Sequence, residues 1–272
     1  MKLGISNIAW DFNDDADYLA LLQRVKFQTL EIAPTKIWPD ISQATQDACV
    51  SYRKMANSYG LSIDSIQSAL FGTSNLNIFT SPEDTLDYLK NILKICSWLG
   101  ITKMVFGSPK NRYIPETLSP ETAYSQALAF FTKLATEARQ YDVCICMEPN
   151  AKEYGCNFLT NTEETVSFVE KINHPNFQVH LDTGVLILNH EDVRSAFTKA
   201  SNYLQHIHIS APYLAEISPQ KNVFEELALL VKETKFTGNI VIEMKQQSQN
   251  SQENYFIVEK SISLIQSIFS QK

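Results

Sequence analysis

A short apolar run, a polar loop and a longer amphipathic segment follow one another eight times along this chain. The apolar runs are Leu3–Ser6, Thr29–Ala33, Ile63–Gln67, Lys103–Gly107, Val143–Glu148, Phe177–Asp182, His206–Ser210 and Ile240–Glu243. Strands alternating with helices predict a parallel sheet covered by helices. Eight such units in 272 residues fit a closed α/β architecture, a single (β/α)8 TIM barrel over residues 1–272, since barrels of this kind run to about 250 residues as one unit. An open doubly wound sheet would call for a glycine-rich phosphate turn after the first strand. Ser6-Asn7-Ile8-Ala9-Trp10 stands there, with no GxGxxG. No linker or low-complexity tract interrupts the pattern, and Gln246–Asn254 reads as a loop after the last strand.

Apolar residues stepping by three and four mark the helices. Tyr18, Leu19, Leu21, Leu22 and Val25 define the first, and Tyr255, Val258, Ile262, Ile265 and Phe269 the last. Asn13-Asp14-Asp15, Ser81-Pro82-Glu83-Asp84 and Ser119-Pro120-Glu121 read as helix starts, each joining a cap acceptor to Pro or acid in the first turn. The acidic cluster Asp14, Asp15 and Asp17 is thus a capping and dipole feature. Gly60, Gly100 and Gly238 stand where a helix should end.

The net charge of −7 argues against nucleic acid and anionic membranes as partners, because both need a basic footprint. No apolar run approaches the ~18 residues needed to span a bilayer. Met1-Lys2-Leu3-Gly4 becomes polar too soon for a signal peptide. The cysteines, Cys49, Cys96, Cys144, Cys146 and Cys156, are scattered and odd in number, which fits buried thiols in a reducing compartment. The expectation is a cytoplasmic protein.

In a barrel of this kind, chemistry gathers at the C-terminal ends of the strands. Strands five to eight end in Glu148, Asp182, His208 and Glu243, which are 34, 26 and 35 residues apart, about one βα unit each. Neighbouring strands lie ~4.8 Å apart, so four successive strand ends converge near the mouth. Three carboxylates and an imidazole in so small a space repel unless something compensates, and one divalent cation does so. An oxygen-rich set with one nitrogen suits Mn, Mg, Co or Fe, with Zn possible. His206 shares a strand face with His208 and reads as a packing or supporting residue, or one in contact with substrate. His180 reads as a hydrogen-bonded histidine inside the barrel. Glu31 is open between a solvated loop carboxylate and a polar residue at the mouth.

With these residues in view, the chain resembles the xylose-isomerase-like TIM-barrel superfamily of sugar isomerases, ketose 3-epimerases, inosose dehydratases and the AP endonuclease family 2 fold. The resemblance runs through essentially the whole chain. It is strongest at Cys146-Met147-Glu148-Pro149-Asn150, His180-Leu181-Asp182-Thr183-Gly184, His206-Ile207-His208-Ile209-Ser210 and Val241-Ile242-Glu243-Met244. It implies that Glu148, Asp182, His208 and Glu243 bind the metal and that Glu148 and Glu243 also move protons. Two positions depart from the ketose 3-epimerase pattern. Val185 replaces the usual histidine three residues after the strand-six aspartate, and Ser210–Leu214 lacks the usual arginine.

The expected activity is that of a metal-dependent sugar or sugar-phosphate isomerase or epimerase. An α-hydroxy carbonyl substrate would be polarised by the cation, and the two glutamates would transfer protons through an enediolate. The alternatives are a keto-polyol dehydratase using the same metal, and a barrel that keeps the metal but only binds a ligand. Lys110, Asn111 and Arg112, in the loop after strand four, are candidate contacts for a small carbohydrate substrate, with Trp10 as an apolar wall. Trp38, Phe71 and Tyr154 are further candidate walls. A homo-oligomer is the common default for such enzymes.

Overall fold

Side chains along a strand point alternately to its two faces, and in this chain the two faces differ sharply in chemistry. In a computed structural model, which describes residues 1–270, eight parallel strands pair in sequence order and close into a barrel. They are β1 (Lys2–Ser6), β2 (Thr29–Ile32), β3 (Ser62–Ile66), β4 (Lys103–Phe106), β5 (Cys144–Met147), β6 (Phe177–Asp182), β7 (Leu204–Ser210) and β8 (Asn239–Glu243). The alternating pattern therefore gives a single eight-stranded barrel with helices between the strands, as expected.

One face of each strand feeds the layer beneath the helices. Ile5, Leu30, Ile63, Met104, Phe106, Ile145, Val179, Leu181, Ile207, Ile209, Ile240 and Ile242 join one hydrophobic cluster with Leu19, Leu93, Phe131, Phe168 and Ile262 of the helices. The other face turns into the lumen. Ser6, Thr29, Glu31, Ser65, His180, His206, His208 and Asn239 are buried just as deeply but are polar. Lumens of such barrels are usually filled by branched aliphatics, so a polar lumen has to satisfy its own hydrogen bonds. Strand pairing slips between Leu30 and Glu31 on β2 and between Val179 and His180 on β6. The unpaired extra residues are Asp64 on β3 and Gln205 on β7, and each slip falls just before paired lumen residues, Glu31 in the first and His180 with His206 in the second.

The helix starts differ in detail from the sequence expectation. Ser119 caps the Pro120–Arg139 helix by accepting the Thr122 N–H, as its position suggested. Asp15 is not a cap. Its carboxylate is buried and accepts the Trp10 indole N–H and the Tyr52 hydroxyl, both at 2.9 Å, so it ties the first loop to a later helix. Asp11 caps the short turn ahead of it instead. Gly60 and Gly100 adopt the left-handed backbone that a helix end requires, at φ 76° and 79°. The last helix, Ser251–Phe269, is pinned to the first βα unit by Asn254, which donates to the Ala9 carbonyl and the Tyr18 hydroxyl. All five cysteines are free thiols. No helix among the described residues is long and apolar enough to cross a membrane.

Gly4 on β1 lies against the backbone of β2, and a Cβ there would overlap the Thr29 side chain and carbonyl oxygen. Gly4→Ala is expected to destabilise the barrel by about 1–3 kcal/mol, the usual cost of overpacking, seen as a lower urea midpoint with an unchanged slope.

Candidate active site

Asp182 is the last residue of β6 and at the same time the cap of the Thr183–Leu188 helix. That double duty fixes both carboxylate oxygens. Oδ1 accepts the Val185 N–H at 2.7 Å, and Oδ2 accepts the Ser210 hydroxyl at 2.6 Å. Ser210 Oγ in turn accepts the Gly184 N–H at 2.8 Å, an approach that a Cβ on Gly184 would crowd. Glu148 follows β5. Its backbone N–H bonds to the Phe106 carbonyl, and its own carbonyl accepts from Arg112 Nη2 at 2.8 Å. Glu243 ends β8 and lies in register with Ser210 on β7.

His208 stands in the middle. Its Nδ1 is 3.2 Å from Glu243 Oε2, 3.9 Å from Asp182 Oδ2 and 4.0 Å from Glu148 Oε1. One ligand atom from each of the four residues fits within 4.8 Å of the others. The His208 Nδ1 is buried and makes no hydrogen bond of adequate geometry. A donor set of three carboxylates and one imidazole, with that nitrogen turned toward the carboxylates, fits a divalent cation.

The electrostatics point the same way. Burial, helped by the charges of Glu243 and Asp182, pushes the Glu148 carboxyl up to about 8 against weaker pulls from His208 and Arg112. Burial and Glu243 push Asp182 up to about 6, and the His208 charge and the Ser210 and Val185 hydrogen bonds resist. Burial alone would hold the His208 imidazole down, but Glu31 and Glu243 together carry it well above its ordinary range. Without a cation, then, the cluster balances its charge by holding protons.

A cavity of about 470 Å³ opens over this cluster at the C-terminal ends of the strands. Gln67, Ser68, Ser108, Asn150, Tyr154, Lys245, Val185 and Leu214 line it together with Glu148, Asp182 and Glu243. A larger groove of about 890 Å³ runs outside, among Tyr124, Phe158, Glu163, Glu191 and Lys199. It gathers no ligand set among the described residues, so the smaller cavity is the one with chemistry.

The residues expected to touch substrate lie elsewhere. The loop after β4 forms a short turn, Pro109–Arg112, whose leading residue Ser108 is left-handed at φ 44°. That turn points Lys110 to solvent and carries Asn111 and Arg112 into the protein. Asn111 donates to the Thr73 and Leu76 carbonyls and ties two mouth loops together, while Arg112 lies under Glu148. Trp10 is buried against Tyr18, its ring stacked at 4.6 Å, and its N–H is taken by Asp15. His206 sits below the cavity, buried against Glu31. None of these five lines the mouth. Of the other aromatics, Tyr154 lines it, Trp38 is buried against Tyr52, and Phe71 is exposed beyond it. His180 differs too, since neither ring nitrogen has a protein partner and the ring packs on His206 and His208. Glu31 is wholly buried in the lumen. Lys245, two residues past Glu243, escaped the sequence reading because it follows the last strand in a polar loop.

Residues 19–266 match the family described as xylose isomerase-like TIM barrel. The chain belongs to that family. Among curated relatives of this TIM-barrel chain, D-psicose 3-epimerase from Ruminiclostridium cellulolyticum is 26% identical over 76% of this chain and 71% of the relative. Ketose 3-epimerase from Arthrobacter globiformis is 20% identical over 89% of this chain and 83% of its own length. Among solved structures, D-psicose 3-epimerase crystallised with D-fructose superposes with a TM-score of 0.79 over 100% of both chains, at 16% identity. A 3-keto-D-glucoside 4-epimerase from E. coli gives 0.75 over 98% of this chain and 99% of its own, at 14% identity. Those superpositions establish the shared barrel.

Two outcomes follow from the site geometry. Gly107 is the floor beneath Glu148, and a Cβ there would overlap Glu148 Oε2. Gly107→Ala is expected to displace that carboxylate and weaken Mn2+ binding by tenfold or more with a smaller change in urea midpoint; unchanged affinity would show that Glu148 does not depend on this floor. The second concerns pH. The folded Glu148 carboxyl, at about 8, holds its proton more tightly than the unfolded one at 4.5, so its contribution to stability falls as pH rises between those values. Buried His180 and His206, both held below 6.5, act in the opposite sense but only under that value. His208, carried well above 6.5, adds to the fall above that value. In chelator-treated protein, urea stability is therefore expected to fall from pH 7 to 8, and Glu148→Gln to make that fall shallower. Equal slopes in the two proteins would contradict the assignment.

Proposed function

We propose that this chain is a divalent-cation-dependent epimerase of ketoses or closely related keto-sugars, exchanging a proton at the carbon next to the carbonyl. The observation that carries this reading is the difference in access within the ligand set. Glu148 and Glu243 keep 14% and 10% of their side-chain surface open, against 4% for Asp182 and 1% for His208. The open pair comes from β5 and β8, three strands apart round the barrel, so the two carboxylates approach the cavity from different sides.

Glu148, Asp182, His208 and Glu243 would hold the cation, most naturally Mn, Mg, Co or Fe for so oxygen-rich a set, with Zn possible. When bound, it supplies Lewis-acid polarisation of a substrate carbonyl. The chain's own residues do the rest. One glutamate takes the proton from the carbon beside the carbonyl, and the other returns a proton to the opposite face, which inverts the centre. Asp182 and His208, less open to the cavity than the two glutamates, would hold the cation without moving protons.

The cavity volume falls within the range of small-molecule sites. Gln67, Ser68, Ser108, Asn150 and Tyr154 offer donors and acceptors to sugar hydroxyls, and Lys245 is the cation among the lining residues. Support from sequence comes through the ketose 3-epimerase relatives, whose names carry the same reaction class.

The test is turnover of D-psicose, D-fructose and a wider ketose panel by Mn2+-loaded protein in D2O. Deuterium is expected at the carbon beside the carbonyl in the epimerised product. Glu148→Gln and Glu243→Gln should each lose about 10²–10⁴-fold in kcat, and removing the metal with chelator should abolish turnover. Epimerisation that persists in the double variant would sink the reading.

A further inference from the structure

Glu31 is the one fully buried carboxylate of the lumen for which the proton-transfer scheme has no use. It enters from β2, and its two oxygens reach β7. Oε1 is hydrogen-bonded to His208 Nε2 at 2.8 Å, and Oε2 lies 2.8 Å from His206 Nε2 in a close contact without hydrogen-bond alignment. The register slip between β2 and β3, where Asp64 of β3 is left unpaired, falls immediately before Glu31. His208 thus has its Nε2 edge against Glu31 and its Nδ1 edge toward Glu243, Asp182 and Glu148.

Imidazole geometry makes these two edges dependent. When Nε2 carries a hydrogen and gives it to a carboxylate, the neutral ring keeps its lone pair on Nδ1. Carboxylate–histidine–metal arrangements use this coupling to fix the tautomer and the ring plane and to raise the basicity of the ligating nitrogen. We propose that Glu31 is the positioning residue of the cation centre, accepting the His208 Nε2–H so that Nδ1 is presented to the ion, with His206 holding the second oxygen of Glu31 in place. This rests on the reading that Glu148, Asp182, His208 and Glu243 bind a divalent cation.

The same lumen suggests a rival. His180, His206 and His208 bring ring nitrogens within 4.8 Å of one another and can be taken as a separate cation set. Glu31 already occupies the Nε2 edges of two of them, which favours a supporting layer under a single ion.

The experiment is a Mn2+ titration by calorimetry, with visible spectra of the Co2+ form, on wild type, Glu31→Gln and His206→Gln. Glu31→Gln keeps the size of the side chain and loses its charge. It is expected to bind Mn2+ about 10- to 100-fold more weakly and to shift the Co2+ bands, while still unfolding cooperatively. His206→Gln frees only one Glu31 oxygen and should weaken binding in the same direction by less. It decides the matter alone if Glu31→Gln fails to fold. Wild-type affinity and spectrum in the folded variants would overturn the positioning role and leave the cation centre standing. Two ions per wild-type chain, one of them lost in Glu31→Gln, would overturn it in favour of a histidine site. Wild type that binds no cation would remove the proposed function itself, and this role with it.

Discussion

An ionised carboxylate taken wholly out of water has to be met in place by positive charge or by hydrogen-bond donors, and the effective cost of failing is several kcal/mol per ion. Glu31 is such a group, and the lumen is built to meet it. His206 and His208 close on its two oxygens, and against the push of burial these partners, His208 foremost, hold the carboxyl well below its ordinary range. Everything at the mouth rests on that layer. His208 is anchored from below by Glu31 and faces the acidic cluster above, so its ring carries the lumen's charge balance up to the strand ends.

The two faces of each strand divide the labour. The outward face, with Leu30, Ile145, Leu181, Ile207 and Ile242 at almost no exposure, packs under the helices and supplies the hydrophobic stabilisation. That leaves the inward face free to be unfavourable by itself. Clustered carboxyls that must keep protons, and a His180 ring with no protein partner at either nitrogen, are features a stable fold tolerates only when its core lies elsewhere. Glycine serves the same division where backbone and site meet. At Gly107 the missing side chain is the space that the Glu148 carboxylate occupies.

How much of this was legible in the sequence depends on whether a residue's neighbours lie along the chain or across the barrel. The eight strands could be read because short apolar runs are a local signal, and their ends because each run stops at a polar loop. The convergence of Glu148, Asp182, His208 and Glu243 followed from topology alone. What failed was anything set by turn geometry. Lys110, Asn111 and Arg112 look alike as a basic loop, yet the left-handed Ser108 sends one to solvent and two inward. Trp10 looked like a wall of the mouth, and the signal against it was Asp15, which took its N–H. Glu31 carried no local signal, since its partners are 175 and 177 residues away on β7.

The departures from the ketose 3-epimerase pattern fall where the fold leaves a position free to vary. Val185 is delivered to the cavity by the capping geometry. Its N–H is committed to Asp182, so whatever side chain stands there lines the mouth. A valine puts a carbon surface where the pattern has a polar ring, and such a surface discriminates among hydroxyls only weakly. The loop Ser210–Leu214 carries no cation, and the cationic side chain at the mouth is Lys245, two residues past Glu243. The acidic cluster is constrained by four strands and a buried lower layer, whereas Val185 and Lys245 stand outside that layer.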